Sequence, residues 1–429
     1  MIRAVQVIVF FLAVAIWQIS EMNVAEGKAA KPTWSQWRGP SRDGKVAGVP
    51  WPERLSANSL RQIWKTPLTP SYSGPIVSED AVFVTETKDK AMEIVRALDR
   101  QTGKELWKAE WAGAISVPFF AKANGDWIRA TPAYDGKSLF VAGMRDVLVS
   151  LNARTGKEQW RVDFVQEFKT NAPEFGLVCS PLIDGEAIYV QAANSLVKLS
   201  KATGKVIWRT MESGSNIMES GAFSSPVLAE VAGQRQLIVQ TREKLAGVDP
   251  ISGAVLWSQT VPSFRGMNIL TPVVVGDAIF TSSYQNKSWL YQISKSESFK
   301  VAEAWNNNAQ GYMSTPVVIN GYAYLHLGNQ RFTCINLKTG ERTWTSSKPF
   351  GKYASLVAQG DRILALDERG ILLLIKANPK EFELLDERTI SEDETWAHVA
   401  VCGEEIFIRE LNAMTAYRWQ SPNTDGKGK

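Results

Sequence analysis

The stretch "ARTGKEQW", Ala153 to Trp160, decides the reading of this chain because it recurs: "RQTGKELW" precedes it at Arg100 to Trp107, and "KATGKVIW" follows at Lys201 to Trp208. Aligned on its aromatic end, the phrase marks Trp64, Trp107, Trp160, Trp208, Trp257, Trp305 and Trp344, separated by 39 to 53 residues. A repeat of that period is the mark of propeller blades, in which no single unit can bury its own apolar faces. A second marker leads each unit: "SGP" ending at Pro75, then Ser-Pro or Thr-Pro pairs ending at Pro132, Pro181, Pro226, Pro272 and Pro316. Worn versions follow at Ser355-Leu356 and Ala397-His398, which makes eight units.

Between markers the pattern is strand, turn, strand, turn, strand, so each unit holds about four short strands. Runs such as "AIYV", "LIVQ" and "AYLHL" are apolar without alternation, as expected of sheets covered on both faces. The sequence predicts an all-β, eight-bladed β-propeller. Gly103, Gly156, Gly204, Gly253 and Gly340 fall where the closing hairpin needs positive φ. Asp99, Asn152 and Asp249 precede that turn and are placed to accept hydrogen bonds from backbone further along. The seven tryptophans are expected to dock one blade on the next, each burying area worth about 2–3 kcal/mol.

Closure is also legible. The last unit, "AHVAVCGEEIFIRELNAMTAYRWQ", supplies three strands, and "LRQIWKTPL" at Leu60 to Leu68 is an orphan strand carrying the Trp marker. The N-terminal strand is therefore expected to complete the last blade, which removes free sheet edges. Two units are degenerate: "SKSESFKVAEAW" lacks the Thr-Gly turn, and "KANPKEFELL" puts Leu384 near the expected Trp.

Composition bounds function. Hydrophobic residues make up 45% and charged residues 21% of 429, an ordinary globular balance. The net charge of +4 is spread along the chain, with no basic stripe for nucleic acid. "MIRAVQVIVFFLAVAIWQIS" has the layout of a signal peptide. The expected organisation is a signal peptide over 1–25, a lead-in over 26–59, the propeller over 60–420 and a disordered tail over 421–429. Export to the periplasm or cell envelope follows, with membrane contact only through an uncleaved N-terminal segment. Cys179, Cys334 and Cys402 are distant and odd in number, so buried free thiols are expected rather than a disulfide framework. Two histidines, His326 and His398, exclude multi-His metal sites, and no phosphate-binding, zinc-protease or dinucleotide motif is present.

The leading Ser/Thr-Pro, the apolar strand pair and the closing D/N-x-x-T-G-K-x-x-W resemble the pyrroloquinoline-quinone (PQQ) type repeat. The resemblance covers Leu60 to Gln420 and is most specific in the first four units and the sixth. It implies an eight-bladed propeller similar to two kinds of protein: the assembly factor of the β-barrel assembly machinery, which is not an enzyme, and the quinoprotein alcohol dehydrogenases. The lead-in "WSQWRGPSRDGKV", Trp34 to Val46, resembles that of exported propellers of this type. A quinoprotein dehydrogenase implies adjacent cysteines, a calcium ion and a catalytic Asp; here Val178 and Ser180 flank Cys179.

Loops ahead of each leading Pro gather at one channel mouth, where binding residues of rigid scaffolds concentrate. The candidates are Tyr72, Arg129, Phe175, Glu219, Arg265, Asn268, Tyr312, Lys352, Tyr353, Glu394, Trp396 and His398. No catalytic residue and no metal ligand is assigned. The sequence favours an exported, non-catalytic scaffold without cofactor, binding an envelope protein, a peptide or a small polar ligand and no nucleic acid. The alternative is a calcium- and PQQ-dependent dehydrogenase of an alcohol or sugar.

Overall fold

Apolar strands without alternation need cover on both faces, and the fold supplies it by stacking sheets radially. The computed structural model describes residues 30–420, apart from 215, 217 and 218 and the side chains of 120, 123 and 124. The expected signal peptide and the expected C-terminal tail lie outside the described residues. The chain divides into two units, Met1–Lys31 and Pro32–Lys429, and the description concerns the second. It contains eight four-stranded antiparallel sheets. Blades 1 to 7 span 76–112, 133–163, 182–210, 227–260, 273–307, 317–345 and 354–389, each running in chain order from the innermost strand outwards. Burial peaks at the second strand: in blade 3 Ala187–Ala192 is wholly buried, whereas neither the innermost strand Leu182–Asp184 nor the outermost Val206–Thr210 is.

Blade 8 is sewn from both ends of the unit, as expected. Ala400–Cys402, Glu405–Arg409 and Ala413–Trp419 form its inner part, and Leu60–Pro67 pairs antiparallel with Ala413–Trp419 from Leu60↔Trp419 to Pro67↔Ala413. Two arginines bolt this seam to blade 1. Arg100 pairs with Glu405 at 2.7 Å and donates to the carbonyls of Pro32 (2.9 Å) and Ser78 (2.7 Å). Arg409 donates to the carbonyls of Thr69 (2.5 Å) and Thr85 (3.3 Å).

The repeated phrase is a joint between blades. The ring of Trp107 lies on the turn glycine of the following blade, where a Cβ on Gly156 would come within 2.5 Å of it. Trp64 on Gly103, Trp160 on Gly204, Trp208 on Gly253 and Trp305 on Gly340 repeat the arrangement. These glycines have φ between 70° and 79°, so the position needs glycine both for its backbone and for the ring above it. Each indole Nε1 also donates to a carbonyl of that neighbouring blade, as from Trp64 to Arg100 (2.9 Å) and from Trp107 to Ala153 (2.9 Å). Asp99, Asn152 and Asp249 cap their turns from within, Asp99 Oδ1 accepting from Thr102 N at 2.8 Å.

Three expectations need correction. Most of the marker tryptophans are only partly buried; Trp64 and Trp257 alone are fully so, which lowers the area term per joint. Trp257 shares a buried cluster with Ile279, Trp289 and Tyr291 of the next blade but makes no carbonyl bond there: its Nε1 donates to Gln236 Oε1 of its own sheet at 2.7 Å, since blade 5 has no Thr-Gly turn to receive it. Leu384 is not the Trp equivalent. A register shift precedes every marker Trp, as between Leu98↔Glu105 and Ala97↔Trp107, and in blade 7 the residue after that shift is Asp386. Its carboxylate accepts from Leu55 N at 2.7 Å, so the joint that elsewhere takes an indole here anchors the lead-in.

The lead-in from Pro32 onwards packs into the propeller unit. Trp34 exchanges two backbone hydrogen bonds with Val77 (2.8 and 2.9 Å), and Val46 N donates to Ala358 O at 2.9 Å. Arg38 donates to the carbonyl of Pro316 and Arg42 to those of Pro181 and Ser180. The segment thereby touches innermost strands of blades 1, 3, 6 and 7 and closes the channel at the end opposite the Pro-led loops.

Candidate functional site

The site is built by the Ser/Thr-Pro marker. Proline immediately precedes the innermost strand, where the missing N–H removes no ladder bond. The hydroxyl before it accepts from the backbone N–H of the equivalent residue one blade back: Gly74 N to Thr131 Oγ1 (3.0 Å), Thr131 N to Ser180 Oγ (3.0 Å), Ser180 N to Ser225 Oγ (2.9 Å). Ser225 N to Thr271 Oγ1 (3.1 Å) and Thr271 N to Thr315 Oγ1 (3.2 Å) continue the belt. These bonds satisfy buried N–H groups that face the channel, where no strand can pair them.

The belt is interrupted at blades 7 and 8. Register places Val399, not His398, at the proline position of blade 8, so His398 stands at the hydroxyl position. Its Nδ1 lies 2.9 Å from Val399 O, its ring stacks on Trp34 at 6.4 Å, and burial pushes its pKa down to about 3. It is therefore neutral at physiological pH. Gly74 opposite carries no side chain because a Cβ there would come within 2.9 Å of His398 O.

Residues two before the belt, which point the same way in extended chain, form a second ring with one member from each blade. Tyr72, Arg129, Val178 and Phe223 come from blades 1 to 4, and Ile269, Met313, Tyr353 and Trp396 from blades 5 to 8. All eight line one cavity of about 210 Å³, open at the mouth. Phe175, Met267 and Tyr312 widen its aromatic and sulfur-bearing wall, and Trp37 of the lead-in contributes from below. The walls are braced by ring contacts, Tyr353 stacking on Trp396 at 5.8 Å and Phe175 meeting Phe223 edge-on at 5.5 Å. Arg242 fixes this side, its guanidinium 4.6 Å from Phe223 and each of its three nitrogens donating to a carbonyl, of Ser220, Arg265 or Gly266.

Seven of the twelve sequence candidates line this cavity: Tyr72, Arg129, Phe175, Tyr312, Tyr353, Trp396 and His398. Glu394 sits at its rim, accepting from Trp396 Nε1 (2.9 Å) and Tyr72 OH (3.4 Å). The other four do not. Asn268 is buried and structural, its amide donating to the carbonyls of Arg242 and Val261. Arg265 lies on the outer rim over Phe264, and Lys352 is exposed. Glu219 lines a separate hollow of about 370 Å³ with Glu212, Glu243 and Lys244. Val178, Phe223, Ile269 and Met313 were missed, although a fixed offset of three before each leading-proline position selects them all.

The electrostatics of the channel are one-sided. Arg129 donates from Nε to Trp127 O (3.2 Å) and from Nη2 to Gly125 O (2.8 Å), and burial lowers its pKa to about 10. Below, Arg38 and Arg42 each lie 5.7 Å from the Trp37 ring centre, with pKa values lowered by burial to about 10. All three stay cationic at neutral pH. No carboxylate lines the cavity. The three cysteines are free and buried, as expected, and burial raises Cys179 to about 11.

Among curated proteins, the chain is 22% identical over 335 residues to the outer membrane protein assembly factor BamB of Yersinia pestis, covering 74% of this chain and 79% of that one. It is 25% identical over 266 residues to the tetrathionate hydrolase of Acidithiobacillus ferrooxidans, covering 58% of this chain and 48% of that one. Among solved structures, BamB from Moraxella catarrhalis superposes with a TM-score of 0.63 at 13% identity, over 85% of this chain and 99% of that one. The family described as "Outer membrane protein assembly factor BamB" matches residues 91–346, more than half of the chain. The chain is thus a PQQ-like repeat propeller and belongs to that BamB family.

Proposed function

We propose that this protein is an exported, non-catalytic propeller that docks other cell-envelope proteins on its mouth face and serves outer-membrane protein assembly. The observation that carries this reading is the cavity itself. All eight blades converge on it, yet it presents aromatic and aliphatic side chains, methionines, one arginine and belt hydroxyls already engaged by backbone N–H groups, with no carboxylate and no thiol. General acid–base or nucleophilic work needs such groups with tuned pKa values, and the neutral, buried His398 has no carboxylate in the lining to act with. The relatives named as assembly factors support the same reading.

The calcium–quinone pair of the alternative fits poorly. Calcium takes six to eight oxygen ligands, carboxylates among them, whereas the lining offers none and its belt hydroxyls already accept backbone N–H groups. No step is derived through either group. The test is to deplete the protein in its own cell and follow envelope fractions. Loss of outer-membrane proteins is the expected outcome. Unchanged levels, together with dye reduction by the purified chain given PQQ, calcium and an alcohol, would replace the scaffold with the enzyme.

A further inference from the structure

The channel axis carries three guanidinium groups, and no ion pair with Asp or Glu is formed by Arg38, Arg42 or Arg129 among the described residues. Arg38 and Arg42 are 1% and 6% exposed. Their hydrogen bonds go to backbone carbonyls alone, and Nε and Nη1 of Arg38 and Nε of Arg42 have no partner. Buried cations are normally paired, because an uncompensated charge out of water is costly. Among the described residues Asp43 and Asp126 act on Arg38 and Arg129 only at a distance, and no carboxylate closes on any of the three guanidinium groups. Glu394, the acidic side chain at the rim, is already engaged by Tyr72 and Trp396.

From this complement we infer that the cavity receives the carboxylate of an acidic side chain presented by a protein partner, with Arg129 as its direct contact and the Arg38–Trp37–Arg42 stack as the positive floor beneath. The inference rests on the docking reading above. A cavity of about 210 Å³ has room for one side chain rather than for a ligand of cofactor size. Its rim bears exposed apolar surface, Phe264 at 43% and Phe119 at 84%, which suits a covering loop rather than a free ion. A charge-assisted bond to a fixed guanidinium in a partly desolvated pocket gives both strength and register.

The experiment uses methyl signals of the full chain, since Met267 and Met313 line the cavity and report occupancy there directly. Blocked pentapeptides Gly-Gly-Xaa-Gly-Gly with glutamate, glutamine or lysine at the centre, and acetate alone, are titrated at constant ionic strength. The glutamate peptide should shift both methyls saturably, at least tenfold tighter than the glutamine peptide, with lysine inert. Arg129→Gln should weaken the glutamate peptide at least tenfold while leaving the other methionine signals in place. Lys352→Gln, an exposed change of the same charge, should leave it unaltered. Equal response to glutamate and glutamine, or no response to any peptide, overturns the inference. Response to acetate but not to the glutamate peptide overturns the protein-borne occupant and leaves a free-anion site. Depletion phenotypes test the docking reading separately, so the two failures are distinguishable.

Discussion

The indole of Trp107 rests on Gly156 of the next blade, so close that a single added carbon would stand 2.5 Å from the ring. The contact converts a turn glycine into half of an inter-blade joint. Gly156→Ala therefore faces two penalties, a left-handed backbone and a clash, together about 2–4 kcal/mol. Gly233 has a φ of 72° against 71° at Gly156, with nothing near its Cβ position, so Gly233→Ala should lose only about 1 kcal/mol. Urea unfolding of both variants checks this, and equal losses would remove the joint from the account.

Asp386 and Leu55 form the other kind of joint, and its loss should be felt in the lead-in first. Asp386→Ala leaves Leu55 N without its acceptor, costing about 1–3 kcal/mol, and should increase proteolysis between Trp51 and Leu60. Limited proteolysis read by mass spectrometry checks it.

Asp146 gives a pH dependence. Its side chain is 1% exposed, one oxygen accepts from Ala193 N at 2.8 Å and the other has no partner, and burial raises its pKa to about 7. A carboxyl with a raised folded pKa favours the fold while protonated, and that contribution is lost as pH rises through about 7. Asp146→Asn should keep the Ala193 contact and avoid the loss. Its Tm relative to the parent should rise progressively from about pH 4 to about pH 7 and level off above, whereas a constant difference would contradict the assignment. The buried histidines act in the opposite sense and lower: burial depresses His326 to about 4 and His398 to about 3, so their contribution is lost on acidification below about 6.5.

Much of this architecture was legible in the chain because the repeat is written in residues with narrow roles. Gly103 and Gly156 needed positive φ, Pro132 and Pro181 needed a strand start, and Leu60–Pro67 had no partner except the last blade. The register of the worn units was not legible, since Leu384 and Asp386 differ only by where the shift falls, and no Trp marks that position in blade 7. The channel floor was equally hidden: nothing local in "WSQWRGPSRDGKV" says that Arg38 and Arg42 reach strands of blades 6 and 3 across the ring. The cavity ring at Tyr72, Arg129 and Trp396 was read correctly in part. A strict two-residue alternation back from the belt would have replaced Asn268 and Glu219 with Ile269 and Phe223, added Val178 and Met313, and left out Lys352.

The central claim, docking of envelope proteins at the mouth, is tested most directly by photocrosslinking in cells. A photoreactive residue replaces Phe264 at the mouth rim or, as control, Val49 in the lead-in at the far end, both exposed. The account predicts adducts with cell-envelope proteins from position 264 and none from position 49, with the yield at 264 reduced by Arg129→Gln. Adducts from position 49 alone, or none from either, would contradict it.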